Sequence, residues 1–368
     1  MSRVLVLTND FPTRRGGIES FVLALCRQLP PDDVVVYTAA MPGDREHDAG
    51  LPFRVHRDPR GMLLPTPALA RRVTRVLRAE GCDRVLLGAS VPLGLLAPAL
   101  RRAGARRLVA LTHGHEVWWA ALPPTRWALR RVGDRVDVLT FVSRWCRDRI
   151  APALSPAARD RMVRLSPGVD PDRFRPGCGG DAVRRRLGVP EDAPVVVCAA
   201  RLVRRKGQDT LVRAWPAVLR SHPRAVLLLV GEGPDRGRLE RMVRRRHLAG
   251  RVRFAGGVPW DRVPAHVDAG DVFAMPCRTR RLGLEPEAWG IVLLEAQACG
   301  LPVVVGRSGG APETLAGPSS GRVVSGRAQV GAALVTLLAQ RRPRQARTPV
   351  AVWSWDRAGE RLRSLLDG

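Results

Sequence analysis

Along the chain, short runs of Val, Ile, Leu and Ala alternate with longer stretches whose apolar residues recur at helical spacing. Short apolar runs bounded by Gly, Pro or polar turns predict strands buried on both faces, and the amphipathic stretches between them predict helices. A first series of such runs falls at residues 4–7, 34–38, 84–87, 108–112 and 136–141. A second begins afresh at 195–199, 225–230, 252–254, 272–275 and 302–305. This βα rhythm predicts an α/β protein built from parallel sheets with helices on both faces. Between the two series, Ser166-Pro167-Gly168 and Pro176-Gly177-Cys178-Gly179-Gly180 form a dense Pro/Gly cluster that reads as a linker. The expected domains are therefore 1–170 and 171–350. Near the end, Arg341-Arg342-Pro343-Arg344-Gln345-Ala346-Arg347 breaks the helical pattern, and residues 353–366 resume it. Trp353 and Trp355 are costly to leave in water, so this last helix, within 351–368, is expected to pack on something.

Composition fits this division, since 368 residues with 45% hydrophobic content suffice for two cores. The formal charge of +27 would attract phosphates on any fold. It does not choose a partner, however: the chain has a single lysine, Lys206, which points to a coding bias toward Arg. Seven cysteines are scattered without CxxC or mixed Cys/His spacing, which predicts a reduced, cytoplasmic protein with thiols serving as small core residues. Residues 3–8 read as a first strand and lack the pattern of a signal peptide. The longest uncharged stretch, 85–100, contains Gly88, Pro92, Gly94 and Pro98 and falls short of the ~20 residues a spanning helix needs, so no transmembrane segment is expected.

Four clusters carry candidate chemistry. Asn9-Asp10-Phe11-Pro12 leads into Gly16-Gly17-Ile18-Glu19 at the start of a helix, where backbone N–H groups can receive an anion; an ordinary βα turn reads the same way. Thr112-His113-Gly114-His115-Glu116 stands where a strand ends, the place at which open α/β sheets bind ligands. There His113 serves either a sugar hydroxyl or the structure alone, and zinc is disfavoured because Trp119 replaces the second His of HExxH. Arg201 and Lys206-Gly207 follow the first strand of the second series and could grip a diphosphate from two sides. Glu287 and Glu295 flank Gly290-Ile291-Val292; if Gly290 opens a helix, both carboxylates can reach one ligand, as hydroxyl acceptors or as an acid/base pair. Two tempting motifs are set aside. Gly231-Glu232-Gly233 lacks the third glycine of a dinucleotide fingerprint, and Asp170-Pro171-Asp172 reads as a turn and not as a metal-binding DxD.

Taken in order, these segments resemble the family-four retaining glycosyltransferases. The resemblance is carried by Gly16-Gly17-Ile18-Glu19, Thr112-His113-Gly114-His115-Glu116, Ser166-Pro167-Gly168-Val169-Asp170, Arg201 with Lys206-Gly207, Gly231-Glu232-Gly233, Glu287 with Glu295, and Ser308-Gly309-Gly310-Ala311-Pro312-Glu313. Within that family the chain is most similar to the mannosyltransferases that extend phosphatidylinositol mannosides from GDP-mannose. That narrower likeness rests on Leu7-Thr8-Asn9-Asp10-Phe11-Pro12, Met62-Leu63-Leu64-Pro65-Thr66-Pro67, Ala274-Met275-Pro276-Cys277-Arg278-Thr279-Arg280 and Glu295-Ala296-Gln297-Ala298-Cys299-Gly300. The resemblance implies a GT-B fold, two Rossmann-like parallel-sheet domains facing across a cleft, with the terminal helix crossing back to the first domain. It implies that Arg201 and Lys206 bind the donor diphosphate, His113 the sugar, Gly16 and Gly17 the phosphate side, Glu287 the transferred sugar and Glu295 the ribose. Gly290, Ile291 and Val292 join the substrate-binding set, and no metal or cofactor is expected. The chain departs from the family at Arg281-Leu282-Gly283-Leu284-Glu285-Pro286, where a glycine-rich loop would be usual.

A lipid acceptor at the inner face of the cell membrane is suggested by Trp118, Trp119, Trp127, Arg126, Arg130 and Arg131. The basic stretch 68–80, with Leu69, Val73, Val76 and Leu77 at helical spacing, suggests the same; a packed helix with a solvated Arg face fits these residues equally. The rival readings are a UDP- or ADP-sugar transferase with a soluble or polysaccharide acceptor, another GT-B chemistry such as epimerisation or phosphorolysis, and a basic nucleic-acid or polyphosphate binder. The last lacks any nucleic-acid-binding signature, so no nucleic-acid partner is expected.

Overall fold

A computed structural model describes residues 3–14, 16–341 and 353–368. The chain forms two compact units, Met1–Pro167 with Trp355–Gly368, and Gly168–Ser354. In the first unit, strands β1 (Arg3–Leu7), β2 (Val34–Ala39), β3 (Arg54–Asp58), β4 (Cys82–Leu87), β5 (Arg107–Ala110), β6 (Val138–Phe141) and β7 (Met162–Arg164) make one sheet in the order 3-2-1-4-5-6-7. Every pairing is parallel; Leu5 of β1, for example, stands opposite Val35 and Val85. The second unit repeats the plan with β8 (Val195–Ala199), β9 (Val226–Val230), β10 (Val252–Gly256), β11 (Val272–Met275), β12 (Val303–Gly306) and β13 (Gly321–Val324), in the order 10-9-8-11-12-13. Each sheet is thus doubly wound, and each reverses strand order beside its first strand, the topological switch point at which such folds bind ligands.

The apolar runs mark the central strands, and three edge or near-terminal strands escape them. In β3, Arg54-Val55-His56-Arg57-Asp58, only Asp58 is buried, and β7 buries no residue fully. Both lie at sheet edges, as does β13, where one side of the strand needs no apolar partner. The second core gathers around Trp215, which is fully buried between the strands and the helices Gln208–Ser221 and Arg327–Ala339.

Of the expected linker, Ser166-Pro167-Gly168 spans the division between the units, whereas residues 169–180 are an integral part of the second unit. Val169 N–H donates to Trp353 O at 3.0 Å, and Asp170 Oδ1 accepts from the N–H groups of Asp172 and Arg173 in a tight turn. Asp268 receives the N–H groups of Gly177 at 3.1 Å and Gly180 at 2.8 Å, and Gly180 starts the helix Gly180–Arg186. At Gly180 backbone passes close to backbone, since a Cβ there would lie 2.6 Å from the carbonyl of Asp268.

The helix Trp355–Asp367 packs against the helix Gly17–Cys26 and strands β4 and β5 of the first unit, burying Leu362, Leu365 and Leu366. Trp355 meets Phe21 at a centroid distance of 6.0 Å, and Trp353 meets Trp289 at 5.3 Å in the second unit. Both tryptophans are thus packed. The break expected at 341–347 lies, beyond Arg341, outside the described residues. Among the described residues no helix is long and apolar enough to cross a membrane.

Candidate active site

In the second unit the candidate residues converge on the carboxyl ends of β8, β11 and β12. Arg201 follows β8 in a loop held from two sides: Leu202 N–H donates to Glu232 O at 2.8 Å, and Asp235 N–H donates to Leu202 O at 3.1 Å. The segment Gly231-Glu232-Gly233 therefore buttresses the Arg201 loop. Arg201 itself is exposed, and among the described residues its guanidinium has no acidic partner.

Lys206 is fixed by the residue after it. Gly207 has φ +83° and opens the helix Gln208–Ser221, and a Cβ there would lie 2.0 Å from Pro276 O, just past β11. Only glycine lets the Lys206 turn approach β11 so closely. Lys206 Nζ lies 2.7 Å from Glu287 Oε2, with both side chains nearly enclosed. Burial alone would raise the Glu287 pKa, but the charges of Lys206 and Arg205 outweigh it and hold the carboxyl below its ordinary range. Glu287 is placed by its backbone, whose N–H donates to Ser308 Oγ at 3.1 Å, while Thr279 Oγ1 lies 2.9 Å from the same hydroxyl. Glu285, the sequence's competing carboxylate, faces Arg280 at 3.5 Å instead.

Gly290, with φ +97°, forms the N-cap of the helix Ile291–Ala298, so Ile291 and Val292 provide its first N–H groups. One turn further on, Glu295 is buried, and among the described residues no hydrogen bond or ion pair reaches its carboxylate. Burial pushes its pKa up to about 8, with Arg173 opposing weakly, so the group is protonated at neutral pH. The loop that departs from the family pattern carries Arg281 (φ +51°) and Leu282 (φ +54°) in the left-handed region, with Leu282 fully exposed. Each costs about 1 kcal/mol or more relative to a glycine there.

In the first unit, His113 lies at the end of β5. Its Nε2 is 2.5 Å from Gly88 O, and because a carbonyl can only accept, Nε2 carries the proton and Nδ1 is left as an acceptor. Burial lowers the His113 pKa, so the ring is neutral at pH 7; Phe21 meets it edge-on at 5.6 Å and His115 stacks on it at 6.2 Å. Glu116, absent from the candidate set, organises this turn. Fully buried, its Oε2 accepts from the N–H groups of His113 (2.9 Å) and Gly114 (3.0 Å), while its Oε1 accepts from Ser90 Oγ at 3.3 Å. Glu116 is the first residue of the helix Glu116–Ala121 and reaches back to these N–H groups, a use that no Ser/Thr-x-x-Glu capping pattern announces at 113–116.

Gly16 and Gly17 begin the helix Gly17–Cys26, as the sequence predicts. The neighbouring Glu19 carboxyl folds back on them: a Cβ on Gly16 would lie 2.2 Å from Glu19 Oε2. Burial raises the Glu19 pKa, with Arg14 at 3.5 Å opposing. An incoming phosphate would have to displace that carboxyl.

The basic stretch before β4 forms the helix Pro67–Ala79, and it turns Leu69, Val73 and Leu77 into the core while Arg71, Arg75 and Arg78 stay exposed. Its apolar stripe is thus consumed by packing. The exposed apolar groups nearby are Met62 and Leu64 in the preceding segment; Trp127 is also exposed, with Arg131 over its ring at 5.2 Å.

Comparison with known proteins bears on the whole chain. Residues 15–173 match the model of Glycosyltransferase Family 4, and residues 181–348 match that of Glycosyl transferases group 1. A GDP-mannose-dependent alpha-(1-6)-phosphatidylinositol monomannoside mannosyltransferase of Mycolicibacterium smegmatis is 47% identical over 379 residues, covering 99% of this chain and 98% of that one. The protein of the same description from Mycobacterium tuberculosis is 44% identical, covering 100% and 99%. A GDP-mannose-dependent monoacylated alpha-(1-6)-phosphatidylinositol monomannoside mannosyltransferase of Corynebacterium glutamicum is 41% identical, covering 99% and 97%. Among solved structures, Anabaena Alr3699/HepE in complex with UDP superposes with a TM-score of 0.75 at 20% identity over 99% of both chains, which speaks for the fold alone. With its paired Rossmann-like sheets and these relatives over nearly its full length, the chain belongs to the family-four glycosyltransferases of GT-B fold.

Proposed function

We propose that this enzyme transfers mannose from GDP-mannose to a phosphatidylinositol mannoside, with retention of configuration and without a metal ion. The observation that carries the reading is the 47% identity, over nearly the whole length of both chains, to a relative named for that donor and acceptor. The residue arrangement supports the chemistry. Arg201, exposed and without an acidic partner among the described residues, and Lys206 take the donor diphosphate and neutralise the charge that grows as it departs, which is the work a metal would otherwise do. Ile291 and Val292, at a helix start opened by Gly290, add backbone N–H groups to the same phosphates. Glu295 accepts hydrogen bonds from the ribose hydroxyls, which would replace the partners its buried carboxyl lacks. Glu287, held ionised beside Lys206, receives a hydroxyl of the transferred mannose, and neutral His113 offers Nδ1 to another.

Glu287 is occupied by Lys206, which makes it an electrostatic partner and a poor nucleophile. A front-face transfer follows, in which the departing phosphate oxygen takes the proton of the acceptor hydroxyl, the new bond forms on the face the diphosphate leaves, and the α-configuration is kept. The acceptor belongs to the first unit, with Gly16 and Gly17 on its phosphate once the Glu19 carboxyl swings aside. Met62, Leu64 and Trp127, together with the exposed arginines of the helix Pro67–Ala79, give that unit the apolar and cationic groups suited to an anionic bilayer surface, as expected of a peripheral enzyme at the cytoplasmic face.

The test is product analysis with the purified protein and phosphatidylinositol monomannoside in anionic liposomes, offering GDP-mannose, UDP-glucose and ADP-glucose in turn. The expected result is an α-linked mannolipid from GDP-mannose alone, formed equally in the presence of EDTA. A preference for UDP- or ADP-glucose would replace the donor assignment, a β-linked product would end the retaining mechanism, and loss of turnover in EDTA would end the metal-independent one.

A further inference from the structure

The second unit also holds a cavity of ≈ 390 Å³ that none of the donor residues lines. It is bounded by the start of the helix Gln208–Ser221, the ends of β11, β12 and β13, and the start of the helix Arg327–Ala339. Its volume lies within the range of small-molecule sites, about 300–1,000 Å³. Four of its lining residues are arginines, Arg213, Arg278, Arg307 and Arg327, and none is acidic.

The nearest carboxylate is already committed. Asp209, buried behind the wall, pairs with Arg213 at 2.8 Å, with Arg278 at 2.9 Å and with Arg238 at 3.7 Å. Arg238 is held chiefly by Asp235, at 2.8 Å, so the one charge of Asp209 is shared mainly by the two cavity arginines Arg213 and Arg278. Burial would raise the Asp209 pKa, but those cations hold it below the ordinary carboxylate range, so the acid stays ionised and cannot release them. Arg307 Nε donates only to Ser325 Oγ, at 3.2 Å, and Arg327 has no acidic partner among the described residues. At the same mouth, the thirteen-residue helix Arg327–Ala339 opens after an extended Gly326 with no side-chain cap on its first N–H groups, which adds the positive end of its dipole. Val324 and Val330 supply apolar wall beside these charges. A surplus of fixed cations in a concave, partly apolar site raises the local concentration of multivalent anions, and planar guanidiniums match the oxygens of phosphate.

We propose that this cavity is a second binding site, separate from the donor site, for a phosphate dianion, either free or as the phosphomonoester of a small polar molecule. Arg307 and Arg327 make the principal contacts, with Ser325 and the helix start completing the phosphate cradle.

The test is calorimetric titration of the full-length protein at constant ionic strength with glucose 6-phosphate, with inorganic phosphate and with glucose. Saturable binding of a phosphate probe is expected, together with silence from glucose. Tighter binding of glucose 6-phosphate would identify a phosphomonoester site, and equal binding a free-phosphate site; both support the proposal. The Arg307→Ala/Arg327→Ala variant should bind about tenfold or more weakly, because each charge-assisted contact is worth roughly a factor of ten. Lys206→Ala should bind as the wild type does, since its change is confined to the donor site. If the double variant does not fold, Arg327→Glu alone, at an exposed position, should abolish binding. Unchanged affinity in the Arg307/Arg327 variants, loss of binding in Lys206→Ala, or no saturation by either phosphate probe would overturn the assignment.

Discussion

The two units place polar side chains at the same point of the same sheet plan and use them in opposite ways. After β5, Glu116 is buried and fully engaged: it accepts from two backbone N–H groups and a serine hydroxyl, and His113 gives its proton to a carbonyl. After β8 and β11, Lys206 and Glu287 neutralise each other, but among the described residues Arg201 has no acidic partner and the buried Glu295 carboxyl has no hydrogen-bond partner. A closed set of partners builds a scaffold. A set that stays incomplete until a ligand arrives builds a binding site, because unmet polar capacity in a poorly solvated place is worth most when a ligand supplies the match. On the proposed reading, the second unit would therefore hold most of the donor affinity.

Four substitutions would break or sharpen this contrast. The largest effect is expected from Lys206→Ala, which removes a charge aimed at the departing diphosphate: turnover should fall about a hundredfold or more, on the order of 3 kcal/mol, in a folded protein. Near-normal turnover would mean that the second unit's ionic pair is scaffold after all. Glu116→Ala should act on the other side of the comparison, costing the first unit roughly 2–3 kcal/mol of stability by leaving two N–H groups without an acceptor, and leaving GDP affinity intact. Denaturant unfolding with parallel GDP titration separates the two, and a variant that lost GDP binding without losing stability would contradict the division.

Third comes Glu295→Gln. The unfolded Glu295 ionises near 4.5 and the folded one near 8, so the folded state holds a proton that the unfolded state has released between those values. Wild-type stability should consequently fall as pH rises from about 4.5 to about 8 and level off above. The glutamine variant lacks this loss, and at pH 9 it should be the more stable protein by roughly 2 kcal/mol, the full burial cost being softened by local relaxation. Parallel stability curves for the two proteins across that window would show that Glu295 is already satisfied without ligand. The smallest effect belongs to Gly16→Ala. Its backbone is extended and accepts any residue, so only the Glu19 carboxyl must move, at a cost of about 1 kcal/mol or less in thermal unfolding.

How much of this was legible beforehand depended on the kind of signal. Central strands announce themselves as unbroken apolar runs because both faces are covered, whereas Arg54-Val55-His56-Arg57-Asp58 at a sheet edge looks like a loop. The Pro/Gly segment at 166–168 falls at the division between the units, whereas the one at 176–180 is packed inside the second: glycine marks close backbone approach as readily as a linker, and Gly180 sits against Asp268. Within the site, Lys206 and Glu287 could each be singled out from the sequence, but their pairing could not, because it joins two loops far apart in the chain. The structural use of Glu116 could not be weighed from spacing alone, since the same Glu might face solvent. Nor does sequence hint that Glu19 turns back on Gly16, and between the two readings of the stripe at Leu69, Val73 and Leu77 only the structure decides, in favour of packing inside the first unit. Those are facts of packing, decided by neighbours remote in the chain.

One consequence of the helix Trp355–Asp367 concerns synthesis. Its leucines complete the first unit's core against the helix Gly17–Cys26, so the unit made earlier waits for a helix made only after the second unit. A fragment ending at Pro167 would expose Phe21, which the helix covers through Trp355, and invite aggregation, whereas Gly168–Ser354 has its own six-stranded sheet and core. Expression of the isolated halves should therefore favour the later one.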